Sequence, residues 1–132
     1  MAYRKMLIVS LLLYGLFVAG CATMPDQQEL DNLDYGAPLT IDYEAVIKDY
    51  FAKVLCDPSS AGYKFSTPRM LWFKQPPLLG GGLYAGYMVF VRVIAKDNTG
   101  RYEDLKEHGF LFKNNQLIKV LMPQEFGLMR SR

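Results

Sequence analysis

Ile41-Asp42-Tyr43-Glu44-Ala45-Val46-Ile47-Lys48-Asp49-Tyr50-Phe51-Ala52-Lys53-Val54-Leu55-Cys56 holds the clearest periodicity in the chain. Tyr43, Val46, Ile47, Tyr50, Phe51, Val54 and Leu55 fall at i, i+3, i+4, i+7, i+8, i+11 and i+12, one continuous stripe on an α-helix. Asp42 stands where an N-cap carboxylate accepts a backbone N–H, and Glu44 lies at the positive end of the helix dipole. Glu44 with Lys48 and Asp49 with Lys53 are i,i+4 pairs on the wet face, each worth a few tenths of a kcal/mol. So wide an aromatic stripe needs a surface to lie on. The residues that follow supply it.

Asp57-Pro58-Ser59-Ser60 ends the helix, because Pro58 disfavours helical geometry at Asp57 and Pro behind Asp suits a type I turn. Beyond it the period changes. Gly62 to Ser66 and Arg69 to Lys74 read as strands. Gln75-Pro76-Pro77-Leu78-Leu79-Gly80-Gly81-Gly82 is neither helix nor central strand and predicts a flexible hairpin loop. Leu83 to Ala95, rich in Val, Tyr, Phe and Ile, reads as the long central strand. Tyr87, Val89, Val91 and Val93 share one face; Met88, Phe90, Arg92 and Ile94 share the other, and Arg92 implies that this second face is only partly buried. Asp97-Asn98-Thr99-Gly100 predicts a turn, and Glu103, Asp104 and Glu107 around Lys106 read as a solvated loop. His108 to Lys113 and Gln116 to Met122 flank Asn114-Asn115, a pair able to enter the positive-φ region of a tight hairpin. The sum is an α+β domain over residues 41–132: one amphipathic helix packed on an antiparallel sheet of about four or five strands.

Upstream, Ala22 to Leu39 is polar and acidic, with isolated Leu30, Leu33 and Tyr35, and ends at Gly36-Ala37-Pro38. Lacking a period, residues 21–40 read as an acidic tether, reaching about 70 Å extended or about 25 Å as a flexible coil. The alternative is that Leu30, Leu33 and Tyr35 dock on the domain. Further back, Arg4 and Lys5 precede an apolar run, Met6 to Ala19, broken only by Ser10 and Gly15. The run stops short of the roughly 20 apolar residues a transmembrane helix needs and meets Thr23-Met24-Pro25-Asp26. Small residues Ala19 and Gly20 stand directly before Cys21, as a processing site requires.

Phe17-Val18-Ala19-Gly20-Cys21 resembles a bacterial lipoprotein signal. A plain cleaved signal peptide and an uncleaved anchor are its rivals. The resemblance implies that residues 1–20 are a removed signal peptide and that Cys21 becomes the lipid attachment site. Cys21 would carry a diacylglyceryl thioether and an amide-linked acyl chain such as palmitate. One acyl chain holds a protein marginally, at about 0.8 kcal/mol per buried CH₂, whereas several hold it stably. Ala22 follows the cysteine, and Asp at that place resembles an inner-membrane retention signal. The implied location is therefore the outer membrane, with the domain facing the periplasm. A second resemblance covers most of residues 35–122. Tyr35-Gly36-x-Pro38, the helix, and Asp57-Pro58-Ser59-Ser60-Ala61-x-Tyr63-x-Phe65 resemble a group of small bacterial secreted proteins and lipoproteins of unknown function. There an Asp-Pro-x-Ser-Ala turn follows an amphipathic helix. Gly86-Tyr87 and Ile94-Ala95-Lys96-Asp97-Asn98-Thr99-Gly100-Arg101-Tyr102 continue the likeness, with departures at Tyr87, Ile94, Asp97 and Arg101. It implies a shared fold and carries no activity.

The 132-residue chain has 15 basic and 13 acidic side chains, a formal charge of +2 that vanishes once Arg4 and Lys5 are removed. Asp26 to Glu44 holds six acids and no base, while Lys48 onward holds 13 bases against 7 acids. That distribution suits either a domain facing an anionic partner or an ordinary solvated surface, and no dense Lys/Arg run exists. The absence of any nucleic-acid-binding motif, with the implied compartment, argues against nucleic acid as a partner. Acylation of Cys21 leaves Cys56 without an intramolecular partner, so no disulfide framework is expected. Cys56 and His108 form the one nucleophile–base candidate, and the alternative function is a small hydrolase-like envelope enzyme using them. Against it, the C-terminal end of a helix disfavours a thiolate. Gly80-Gly81-Gly82 lacks the Gly-Lys-Ser/Thr of a phosphate loop, no pair shows metal-ligand spacing, and no cofactor is expected. The leading expectation is a non-enzymatic binding or accessory module, held to the bilayer through Cys21 and contacting an envelope protein or cell-wall component. Leu78 and Leu79, apolar in a loop, are the candidate contact.

Overall fold

The computed structural model describes residues 24–131; the signal-like run and Cys21 lie outside the described residues. In chain order the elements are α1 (Gln27–Asp31), α2 (Tyr43–Val54), β1 (Asp57–Phe65), β2 (Arg69–Lys74), β3 (Leu83–Lys96), β4 (Tyr102–Lys113), β5 (Gln116–Leu121) and β6 (Met129–Ser131). Short 3-10 helices occupy Pro77–Leu79 and Pro123–Leu128. Helix α2 starts where its cap predicts: the Asp42 carboxylate accepts from Ala45 N at 3.1 Å. It ends at Leu55, extended at ψ 147°.

The six strands form one antiparallel sheet in the order β5-β4-β3-β2-β6, with β1 also on β3. β3 pairs with β4 on one side, while its other side is shared: Leu83–Met88 pairs with β2 and Val91–Lys96 with β1. β1 and β2 run the same way along that edge and are one strand interrupted at Ser66-Thr67-Pro68. At the break Ser66 N donates to Phe90 O at 2.8 Å, and Ser66 Oγ accepts from Phe90 N at 2.9 Å. The Asn114-Asn115 hairpin has φ of 50° and 61°, both positive as its two-residue turn requires.

Alternation along β3 splits the core in two. On one face Ile47 and Phe51 of α2 pack on Val89, Val91, Val93, Phe110 and Phe112. On the other, Met88 and Leu111 pack with Leu71, Phe73 and Leu121, joined by Phe126, Leu128 and Met129 from the C-terminal segment. That segment leaves Arg92 and Ile94 uncovered, so the second face is half-buried, as the sequence pattern predicts. Along the helix stripe, Val54 departs from expectation and is 58% exposed.

Four further expectations are corrected. The sheet has six strands, not four or five, because Met129–Ser131 adds to the outer edge of β2. Asp57-Pro58-Ser59-Ser60 opens β1 and makes no type I turn. Among the described residues β1 pairs with β3 alone, and Pro is tolerated at the first positions of such an edge strand. The register slips between Asp57 and Gly62, where the Ser60 hydroxyl donates to Asp57 O at 2.7 Å and accepts from Lys96 N at 2.8 Å. Glu103 to Glu107 belongs to β4, with a bulge opposite Val91–Val93 that leaves most of its charged side chains in water. Finally, the free-tether reading gives way to its alternative, with Leu30, Leu33 and Tyr35 docked on the domain. Tyr35 is buried with Trp72 and Ala85, and Leu30 and Leu33 pack on the same cluster. Asn114 Oδ1 accepts from Ala37 N at 3.0 Å, Asn115 Oδ1 accepts from Thr40 N at 2.9 Å, and Lys113 pairs with Asp34 at 3.4 Å.

Candidate functional site

The β2–β3 loop is a built object. Gln75, a buried polar residue at its base, donates from N to Gly82 O at 2.8 Å and closes the neck. Pro76 and Pro77 fix φ and open the 3-10 turn, and Leu79 N and Gly81 N both donate to Pro76 O at 2.9 and 3.1 Å. Gly80 N donates to Pro77 O at 3.2 Å. Gly80 at φ 110° and Gly81 at φ 67° bring the chain back through conformations that side chains resist. A loop expected to be flexible is thus closed by backbone hydrogen bonds, and at its tip Leu78 is 98% and Leu79 59% exposed. Gln75 to Leu83 contains no charged residue.

Cys56 is exposed just past the end of α2. His108 lies on β4, opposite Val91. Its Nδ1 is 2.6 Å from Lys106 O, and since a carbonyl only accepts, Nδ1 carries the proton. The imidazole stands edge-on to Phe51 with centroids 5.3 Å apart. His108 is therefore engaged by a backbone carbonyl and a core phenyl ring, and no hydrogen bond joins it to Cys56 among the described residues.

A groove of about 390 Å³ on the half-buried face escapes sequence reasoning, because one wall comes from the C-terminal segment. The Arg69 guanidinium lies 5.5 Å over the Phe90 ring, Phe126 meets Phe90 edge-on at 5.3 Å, and Glu107 stands on the rim. Beside it Arg92 pairs with Asp104 at 3.3 Å, both largely in water. The signal for this groove was Phe90 on the face shared with Arg92, an aromatic ring for which the sequence predicts no covering helix.

Among the described residues, no group of three His, Cys, Asp or Glu side chains is arranged to hold a metal ion. No described helix is long and apolar enough to cross a membrane. In comparisons with known proteins, no family model matches the chain, and neither a curated protein nor a solved structure is similar to it.

Proposed function

We propose that this protein is a bacterial envelope lipoprotein, anchored in the outer membrane by acylated Cys21 after removal of residues 1–20, whose periplasmic domain works by contact and not by catalysis. The observation that carries contact is Leu78, 98% exposed on a loop that its own backbone hydrogen bonds hold in place. Fully burying a leucine is worth about 1.5–3 kcal/mol, so a preformed tip offering two of them is a binding element whose ordering cost is already met.

Intact mass of protein extracted from membranes tests the anchor. The expected species begins at acylated Cys21, and Cys21→Ser should accumulate as a precursor still carrying residues 1–20. Unacylated wild type with a different first residue would refute the reading. Contact is tested by complementation of a deletion. Cys56→Ser with His108→Ala should complement fully, whereas Leu78→Ser with Leu79→Ser should fail while its circular dichroism stays native. The opposite pattern identifies an enzyme.

A further inference from the structure

We infer that the surface bound by Leu78 and Leu79 is the bilayer that holds Cys21 itself: the β2–β3 loop is a second, non-covalent membrane contact that lays the domain on the lipid. The inference rests on the lipoprotein reading and adds what the tip touches.

Three observations converge. The first is distance. Leu30 already packs on the domain. The nine residue steps between Cys21 and Leu30 span at most about 32 Å, and less with α1 helical, so an acylated Cys21 keeps the folded body near the headgroups. The second is direction. Leu30, Leu33 and Tyr35 lie on Met70, Trp72, Leu83 and Ala85, the arm whose tip is the loop, and Leu83 directly follows Gly82. Ala37 then meets Asn114 in the β4–β5 turn, two residues past Phe112, the partner of Tyr87. That turn and the β2–β3 loop therefore stand at one end of the sheet, and the lipid-bearing segment crosses that end.

The third is chemistry. Hydrocarbon excludes unpaired backbone groups and charge. In this loop Gln75, Leu79, Gly80 and Gly81 have their N–H groups bonded internally, and Pro76 and Pro77 have none to bond. No side chain from Gln75 to Leu83 is charged. At the base, Lys119 stands 4.5 Å over the Tyr84 ring, a long cationic side chain of the kind that reaches headgroups. Asp26, Glu29, Asp31 and Asp34 lie on the segment that crosses the same end and outnumber the cations at the loop base, so charge does not draw the tip to the membrane and insertion is driven by the leucines.

The test uses the acylated full-length mature protein reconstituted in phosphatidylethanolamine–phosphatidylglycerol vesicles whose acyl chains do or do not carry bromine, a contact quencher of tryptophan. The wild type supplies the baseline through Trp72, which is 9% exposed within the domain. Leu78→Trp should show blue-shifted extra emission that brominated lipid removes, and adding Leu79→Ser should weaken that quenching. Vesicles of phosphatidylcholine alone should give the same result, and quenching confined to anionic lipid would overturn the apolar basis. Cys21 acylated by mass, native circular dichroism and no quenching beyond the wild-type baseline would overturn the inference alone and leave the tip to a protein partner. Unacylated Cys21 would overturn the anchor, and the inference with it.

Discussion

Gly86→Ala should be among the most damaging single-methyl changes in the domain. Gly86 sits in β3 where β2 and β4 both press on it, paired with Leu71 and next to the Tyr87–Phe112 pair. A Cβ built there collides with the Phe112 carbonyl oxygen and lies 3.2 Å from Leu111 Cδ1, and both of those residues are fully buried. The obstacle is backbone, so β3 and β4 must part for the methyl to fit. Overpacking costs about 1–3 kcal/mol and a displaced buried carbonyl about 1–3 more, against about 0.5–1 gained by replacing glycine in a strand. The net loss is about 3 kcal/mol from a total of 5–15, or a fall in Tm of about 12 °C or more. Gly109→Ala is the matched control. Its Cβ would meet Met88 Sδ at 3.1 Å and Phe126 Cε1 at 3.4 Å, ends of side chains that can swing aside. It should change stability by under about 1 kcal/mol, in either direction. Urea denaturation followed by Trp72 fluorescence and by circular dichroism reads both. Equal losses, or a neutral Gly86→Ala, would refute the β3–β4 register.

Phe51→Asp puts a charge among Phe110, Tyr63 and His108 at a site 1% exposed, and should cost several kcal/mol, on the scale of total stability. Lys48→Ala removes an exposed pair with Glu44 at 4.0 Å and ring contacts with Tyr63 and Phe65, and should cost under about 1 kcal/mol in the same denaturation experiment. Similar losses would place the helix in the wrong phase. The Thr99 hydroxyl, then Arg101 N, hold the Asp97 carboxyl below its ordinary range. A depressed carboxyl stabilises the fold fully above its unfolded pKa, about 3.9, and loses that contribution as pH falls through the lower folded value. The urea midpoint should therefore drop less between pH 5 and acid in Asp97→Ala than in wild type, and an unchanged drop would remove Asp97 from the acid response.

The legible parts of the fold were those determined by neighbours in sequence. The α2 stripe with its Asp42 cap, the Arg69–Lys74 strand, the two faces of β3 and the positive-φ Asn114-Asn115 turn each declare themselves within a few residues. What stayed hidden was determined by an edge elsewhere. Met129–Ser131 is too short to show a period and is a strand because the free side of β2 offers Leu71, Trp72 and Phe73 as partners. Pro58 reads as a turn residue because the sequence does not say that its strand will have an open side. The apolar loop was visible as composition, but its rigidity was not, since Gly80-Gly81-Gly82 signals freedom until the bonds to Pro76 and Pro77 close it.

Residues 24–40 show the same division and alter the functional reading most. Their anchors are spread over separate parts of the sheet: Asp34 meets Lys113 at the end of β4, Ala37 and Thr40 meet the adjoining asparagines of the turn, and Leu30, Leu33 and Tyr35 enter a cluster with Trp72 and Ala85. Contacts distributed that way leave no period, so an acidic stretch with three isolated apolar residues reads as solvated chain. With Leu30 docked, the span available between Cys21 and the domain falls from about 70 Å to about 32 Å at most. Under the proposed acylation of Cys21, the longer distance would leave an apolar loop tip to find a protein partner. The shorter one would put a lipid surface within reach of the same leucines.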